Sequence, residues 1–161
     1  MRKTFTMLAL LAGCMVATLL HAAPEPPVLP TGFIFSTSGE SLPTETIGKG
    51  RGVLLVLISK GNPGGEQLLT SLETLQEPLP ADRLLVIVGG ADDRLLGVMA
   101  KRHAKLAATW YRDTDRLLAK SLKLMATPAT MGVNDAKVSW MIFGVDDPEQ
   151  LEKTMRGWLS R

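Results

Sequence analysis

Two apolar runs constrain this chain more than any other feature: VLLVLI, Val53 to Ile58, and LLVIV inside Arg83 to Val88. A strand with one wet face alternates apolar and polar residues, so an uninterrupted apolar run of strand length is covered on both faces. Between the runs, from Gly65, leucines at 68, 69, 72 and 75 fall at helical spacing until EPLP ends the pattern. Strand, helix and strand in that order make a parallel crossover and put both strands near the centre of a sheet.

The flanking segments complete the expectation. FIFSTSGESLPT, from Phe33, holds two short extended pieces around a Ser-Gly-Glu turn and predicts a hairpin. DDRLLGVMAKRHAKLAA carries Leu95, Leu96, Met99, His103 and Leu106 on one helical face, with Asp92 and Asp93 as its caps. TWY predicts a short strand, Leu117, Leu118 and Leu122 a short helix, and ATMGV with VSWMIF a hairpin around NDAK. A terminal helix opens at Pro148, with Asp147 and Gln150 in capping-box positions and a stripe of Leu151, Met155, Trp158 and Leu159. The fold class is therefore α/β: a mixed central sheet with helices on both faces and an N-terminal β-hairpin.

The first 22 residues read as a targeting segment. MRK supplies a positive start, TFTMLALLAGCMVATLL an uncharged apolar run, and HAAPEPP a small-residue cleavage region, with the cut expected after Ala22. LAGC, Leu11 to Cys14, also resembles a bacterial lipobox, in which Cys14 would be lipidated; an uncleaved anchor is the third reading. All three place the domain outside the cytoplasm, most simply in the periplasm, and membrane association arises only in the second and third. Residues 23–32, with four prolines, predict an extended linker, and 33–161 form the domain.

MATPATMGVND, Met125 to Asp135, together with GNPGG after the first buried strand and WYRDTDRLLAKSLKL before the proline, resembles the thioredoxin fold, specifically its extracytoplasmic TlpA/ResA-like redoxin branch. The resemblance spans about Phe33 to Trp158. It implies that Pro128 is the fold's cis-proline, facing the strand-helix junction, and that Asn62, Pro63, Gly64 and Gly65 occupy the Cys-Pro-X-Cys positions. Thiol exchange needs one thiolate to attack and a second thiol to resolve. Asn62 and Gly65 supply neither, and the single cysteine, Cys14, lies in the targeting segment. Such a chain is expected to bind rather than to catalyse: a protein or peptide partner held across Gly61 to Gly65 and Thr127 to Ala129. The alternatives are a structural part of an envelope secretion or conjugation apparatus that uses a helix face, and a redoxin relative unable to exchange thiols.

Asn62-Pro63-Gly64-Gly65-Glu66 has two readings. In the first, Asn is a strong N-cap, Pro suits the first helical position and Glu66 offsets the helix dipole, so the segment does no more than start a helix. Alternatively the glycines expose backbone N–H groups to an anion or a partner's main chain. Thr127 likewise offers main-chain groups to an extended peptide.

Other chemistry lacks its residues. His103 is the sole histidine beyond the targeting segment and sits on an apolar stripe, so no metal site and no cofactor are expected. Ser59 has no nucleophile elbow, and GNPGGEQ no P-loop lysine. Methionines 99, 125, 131, 141 and 155 read as core filler. Removing Arg2 and Lys3 from the 18 basic residues leaves 16 against 16 acidic ones, so nucleic-acid binding has no electrostatic support.

Overall fold

The computed structural model describes residues 25–144 and 147–161; the targeting segment, Cys14 and the cut after Ala22 lie outside them. The elements are β1 (Phe33–Ser36), β2 (Ser41–Pro43), β3 (Val53–Ser59), α1 (Pro63–Glu73), β4 (Leu84–Gly89), α2 (Asp93–Arg102), β5 (Thr109–Asp113), α3 (Leu117–Ser121), β6 (Ala129–Asn134), β7 (Lys137–Phe143) and α4 (Pro148–Leu159). They build one seven-stranded sheet in the order β2-β1-β5-β4-β3-β6-β7. The strands β3, β4 and β5 run parallel, and the two hairpins add antiparallel strands at either side.

The two apolar runs lie side by side, Leu54 opposite Leu84 through Ser59 opposite Gly89. Their side chains divide between the faces with period two. Leu54, Val56, Ile58, Leu84, Val86 and Val88 pack under α1, α2 and α4. Val53, Leu55, Leu57, Leu85 and Ile87 pack on the other face with Leu118 of α3, Ile34, Ile47 and Leu29. The mixed sheet with helices on both faces is thus observed, three of the four α-helices among the described residues lying on one side.

Three boundaries differ from the periodic pattern. The stripe of α2 continues in sequence to Leu106, yet the helix ends at Arg102, and His103 and Leu106 reach the core from the turn that follows. Leu75 packs against the core from beyond the end of α1. The proline-rich lead-in is no free tether over its second half: Leu29 is buried and its N–H donates to Ala136 O, while Pro27 O accepts from Val138 N. A single apolar residue among prolines, with edge strand β7 beside it, is enough to dock the segment.

Helix α3 shows a cap that the leucine spacing did not reveal. Arg116 precedes it in the left-handed region and caps nothing. Buried Asp113, at the end of β5, instead accepts from Leu117 N (2.7 Å) and Leu118 N (2.9 Å). Leu118 is the one buried side chain of this five-residue helix, fully enclosed. Leu118→Ala is expected to lower unfolding free energy by about 2–5 kcal/mol, measured by urea denaturation.

Candidate functional site

The site forms where β3 ends and α1 begins, opposite the loop entering β6. Asn62 is the N-cap of α1 and Pro63 its first residue. Its Oδ1 accepts from Gly64 N at 2.8 Å, as a capping residue should. The other end of the same amide crosses to the facing loop, Nδ2 donating to Thr127 O (2.6 Å) and Thr127 Oγ1 (3.1 Å). The amide orientation follows from these partners, since the flipped group would set N–H against N–H and oxygen against oxygen. Thr127 Oγ1 in turn donates to Ser59 Oγ at 3.0 Å. Ser59, Asn62 and Thr127 form one connected network in which the Thr127–Pro128 bond is cis.

The sequence-predicted residues therefore meet: Asn62, Gly64, Thr127 and Pro128 are in mutual contact, with Pro63 exposed beside them. The glycines have packing reasons. A Cβ on Gly64 would stand 3.1 Å from Pro128 Cδ, and one on Gly65 3.1 Å from Ile58 Cβ. Gly65 lets α1 settle on β3, and Gly64 lets it settle on the proline ring, which is buried. Pro128 thus shapes the loop from within and presents no ring surface. The Thr127 carbonyl is engaged by Asn62, although a carbonyl retains a second lone pair; among the described residues the Thr127 N–H makes no hydrogen bond.

Met125 departs from expectation. Met99, Met131 and Met155 are buried, but Met125, two residues before Thr127, is 98% exposed. Phe143 is 45% exposed and pairs with Ala129, and the next N–H, of Gly144, donates to Pro128 O. Two apolar side chains therefore flank the loop. Nothing in the apolar run of MIF or the sequence MATP separates exposed from buried residues, because both lie beside strands that are mostly enclosed.

Glu66, in the first turn of α1, reaches away from this face. Its Oε1 accepts from Arg102 Nη1 (3.1 Å) and its Oε2 lies 3.0 Å from His103 Nε2. The His103 ring is buried, stacks on Trp110 at 6.3 Å, and turns Nδ1 towards Glu73 at 3.3 Å. Nε2 meets the Glu66 carboxylate while Nδ1 faces Glu73 without a hydrogen bond, so His103 ties the end of α2 to α1 and makes no hydrogen bond to Ser59. Burial would push the Glu66 carboxyl up, but hydrogen bonds from His103 and Arg102 and their charges outweigh it and hold the group below its ordinary 4.5. Among the described residues no group of three histidine, cysteine or acidic side chains is placed to hold a metal.

No protein-family model and no curated protein sequence matches the chain. Solved structures do. A secreted disulfide oxidoreductase of Mycobacterium tuberculosis, homologous to DsbE of E. coli, superposes with TM-score 0.62 at 13% identity, covering 79% of this chain and 96% of its own. The fold is thioredoxin-like. A thiol-disulfide isomerase of Corynebacterium glutamicum (TM-score 0.62, 16% identity, 84% and 97% covered) and the exposed lipoprotein thioredoxin Etrx1 of Streptococcus pneumoniae (0.60, 11%, 80% and 99%) share it. The thioredoxin-like resemblance carried by GNPGG and TPAT is the fold observed, and on this frame the four junction positions hold no sulfur.

Two measurements check this arrangement. Asn62→Ala removes both the cap and the link to Thr127 and is expected to cost about 1–3 kcal/mol in urea denaturation, whereas Asn62→Ser keeps the cap and recovers part of the loss. A carboxyl lowered on folding contributes stability that is complete above its unfolded value and is lost as pH falls through its folded one. Unfolding midpoints measured below pH 4.5 should therefore fall less steeply in Glu66→Gln than in the parent protein.

Proposed function

We propose that this thioredoxin-like chain is a non-catalytic binding or assembly factor of the periplasm, which holds an extended protein segment across the junction of Asn62 and Thr127. The observation that carries it is the Asn62 amide, which ties the two loops together with hydrogen bonds at a position where thiol exchange would need sulfur. A face ordered in advance loses little entropy on binding. The partner would meet the Thr127 main chain and exposed Gly61, with apolar side chains packing on Met125 and Phe143. Extended apolar segments suit such a face because main-chain bonds supply affinity while alternate side chains find the flanking contacts. The targeting segment supports an extracytoplasmic location, as do relatives in fold described as secreted and as an exposed lipoprotein. No helix among the described residues is long and apolar enough to cross a membrane.

A second reading, as a structural part of an envelope apparatus, draws on a groove of about 440 Å³ between α1 and α4, lined by Leu68, Leu72, Leu75, Leu151 and Met155. The apolar part of this groove suits a partner helix, with Glu149 and Glu152 in the same lining.

Peptides selected from a random display library separate the two readings. Binders should shift the amide resonances of Gly61, Gly64 and Thr127, and Met125→Ser with Phe143→Ser should weaken them at least about tenfold, since apolar contact is lost with little effect on the fold. Binders that shift Leu75 and Met155 instead favour the groove. Reduction of a disulfide substrate above the rate without protein contradicts both.

A further inference from the structure

Sulfur is scarce on this domain and unevenly placed. Beyond the targeting segment, which holds Cys14 and the methionines at 1, 7 and 15, the chain has five sulfur atoms, all in methionines. Met99, Met131 and Met155 are at most 5% exposed, and Met141 is half-buried against the core. Met125 is 98% exposed. Among the described residues it is therefore the one methionine that stands in solvent, and it lies two residues before Thr127, on the loop that Asn62 holds.

The backbone explains the placement. After α3, Lys123 makes a turn with φ of 52°, the Leu124 N–H donates to Ala119 O (2.9 Å), and the Leu124 side chain packs on the core. Leu124 takes the inward place. Met125 and Ala126 are left outside before the chain re-enters the core at buried Pro128.

Exposure decides thioether chemistry. An oxidant of the peroxide class transfers one oxygen to a methionine sulfur: the sulfur lone pair forms the S–O bond, the O–O bond breaks, and hydrogen peroxide leaves as water. The sulfur is oxidised to the sulfoxide and the peroxide is reduced, with no proton or electron left over. A buried sulfur meets the oxidant only through local opening of the fold, whose free-energy cost lowers its rate. Met125 needs no opening.

We infer that Met125 is a selective and reversible oxidation site, and that its sulfoxide weakens peptide binding at the junction. The effect on binding rests on the role proposed above, in which Met125 is one of two apolar flanks. Oxidation puts a polar, chiral group in place of that flank, so a partner's apolar side chain loses its contact and the sulfoxide must shed water to be covered. A thiol-dependent methionine sulfoxide reductase restores the thioether, the oxygen leaving as water while two thiols pair as a disulfide. A frame with no thiol at the junction thus keeps one group there that oxidants can change.

The test treats the folded chain with limiting hydrogen peroxide, maps the oxidised sites by peptide mass spectrometry, and measures the affinity of junction-binding display peptides before and after. Met125 is expected to gain oxygen at least about tenfold faster than Met99, Met131, Met141 or Met155. Bound peptide should slow that reaction by covering the sulfur. The oxidised protein should bind at least about fivefold more weakly, and reductase treatment should restore the affinity. Met125→Leu, whose apolar side chain cannot take up the oxygen, should bind equally with and without peroxide, whereas Met141→Leu should keep the parent's sensitivity. Equal oxidation of these methionines, or another one ahead of Met125, overturns the site; selective oxidation that leaves affinity unchanged overturns the effect on binding. If no peptide engages the junction, the binding role falls together with that effect, and the order of oxidation still decides the site.

Discussion

One side-chain amide joins the two halves of the candidate site. Asn62 begins α1 by accepting from Gly64 N, and it reaches the loop before β6 by donating to Thr127. These two tasks need an acceptor and a donor on one short side chain, which among the common N-caps only Asn provides on two separate atoms. Asp at this position would start the helix equally well and, having no donor when ionised, would leave the facing carbonyl unmatched. The junction is therefore more than a helix start, and the cap reading and the binding reading of NPGG draw on the same group.

The glycines beside it answer a different need. Gly65 sits where α1 approaches Ile58 of β3, and Gly64 where it approaches Pro128. Close approach of a helix to a strand and to a proline ring accounts for both without invoking an anion. In the binding role proposed above, the loop would offer main chain at Gly61 and Thr127, with Met125 and Phe143 as apolar flanks.

The architecture was largely legible because its signals are periodic. Val53 to Ile58 and Leu84 to Val88 could only be central strands, and the resemblance carried by TPAT implied that Pro128 faces the junction at Asn62. Contacts that depend on two distant segments left no local trace. The Asn62 link to Thr127 joins residues 65 apart, and the Glu66, Glu73 and His103 cluster joins α1 to the turn after α2. His103 read as apolar-stripe filler since the pattern records where a side chain points, not which carboxylates await it. Met125 read as core for the same reason, and the short stop of α2 at Arg102 followed from a turn that carries Leu106 inward without helix.

The central claim is that Asn62 holds the Thr127 loop in place of any covalent link, so that in the proposed binding role the face would be ordered before a partner arrives. Scalar coupling across that hydrogen bond, read by NMR on the protein without ligand, tests it most directly. The account predicts a resolved correlation between the Asn62 side-chain nitrogen and the Thr127 carbonyl carbon, and slow solvent exchange of one Asn62 amide proton. Two rapidly exchanging, averaged amide protons with no such correlation would contradict it.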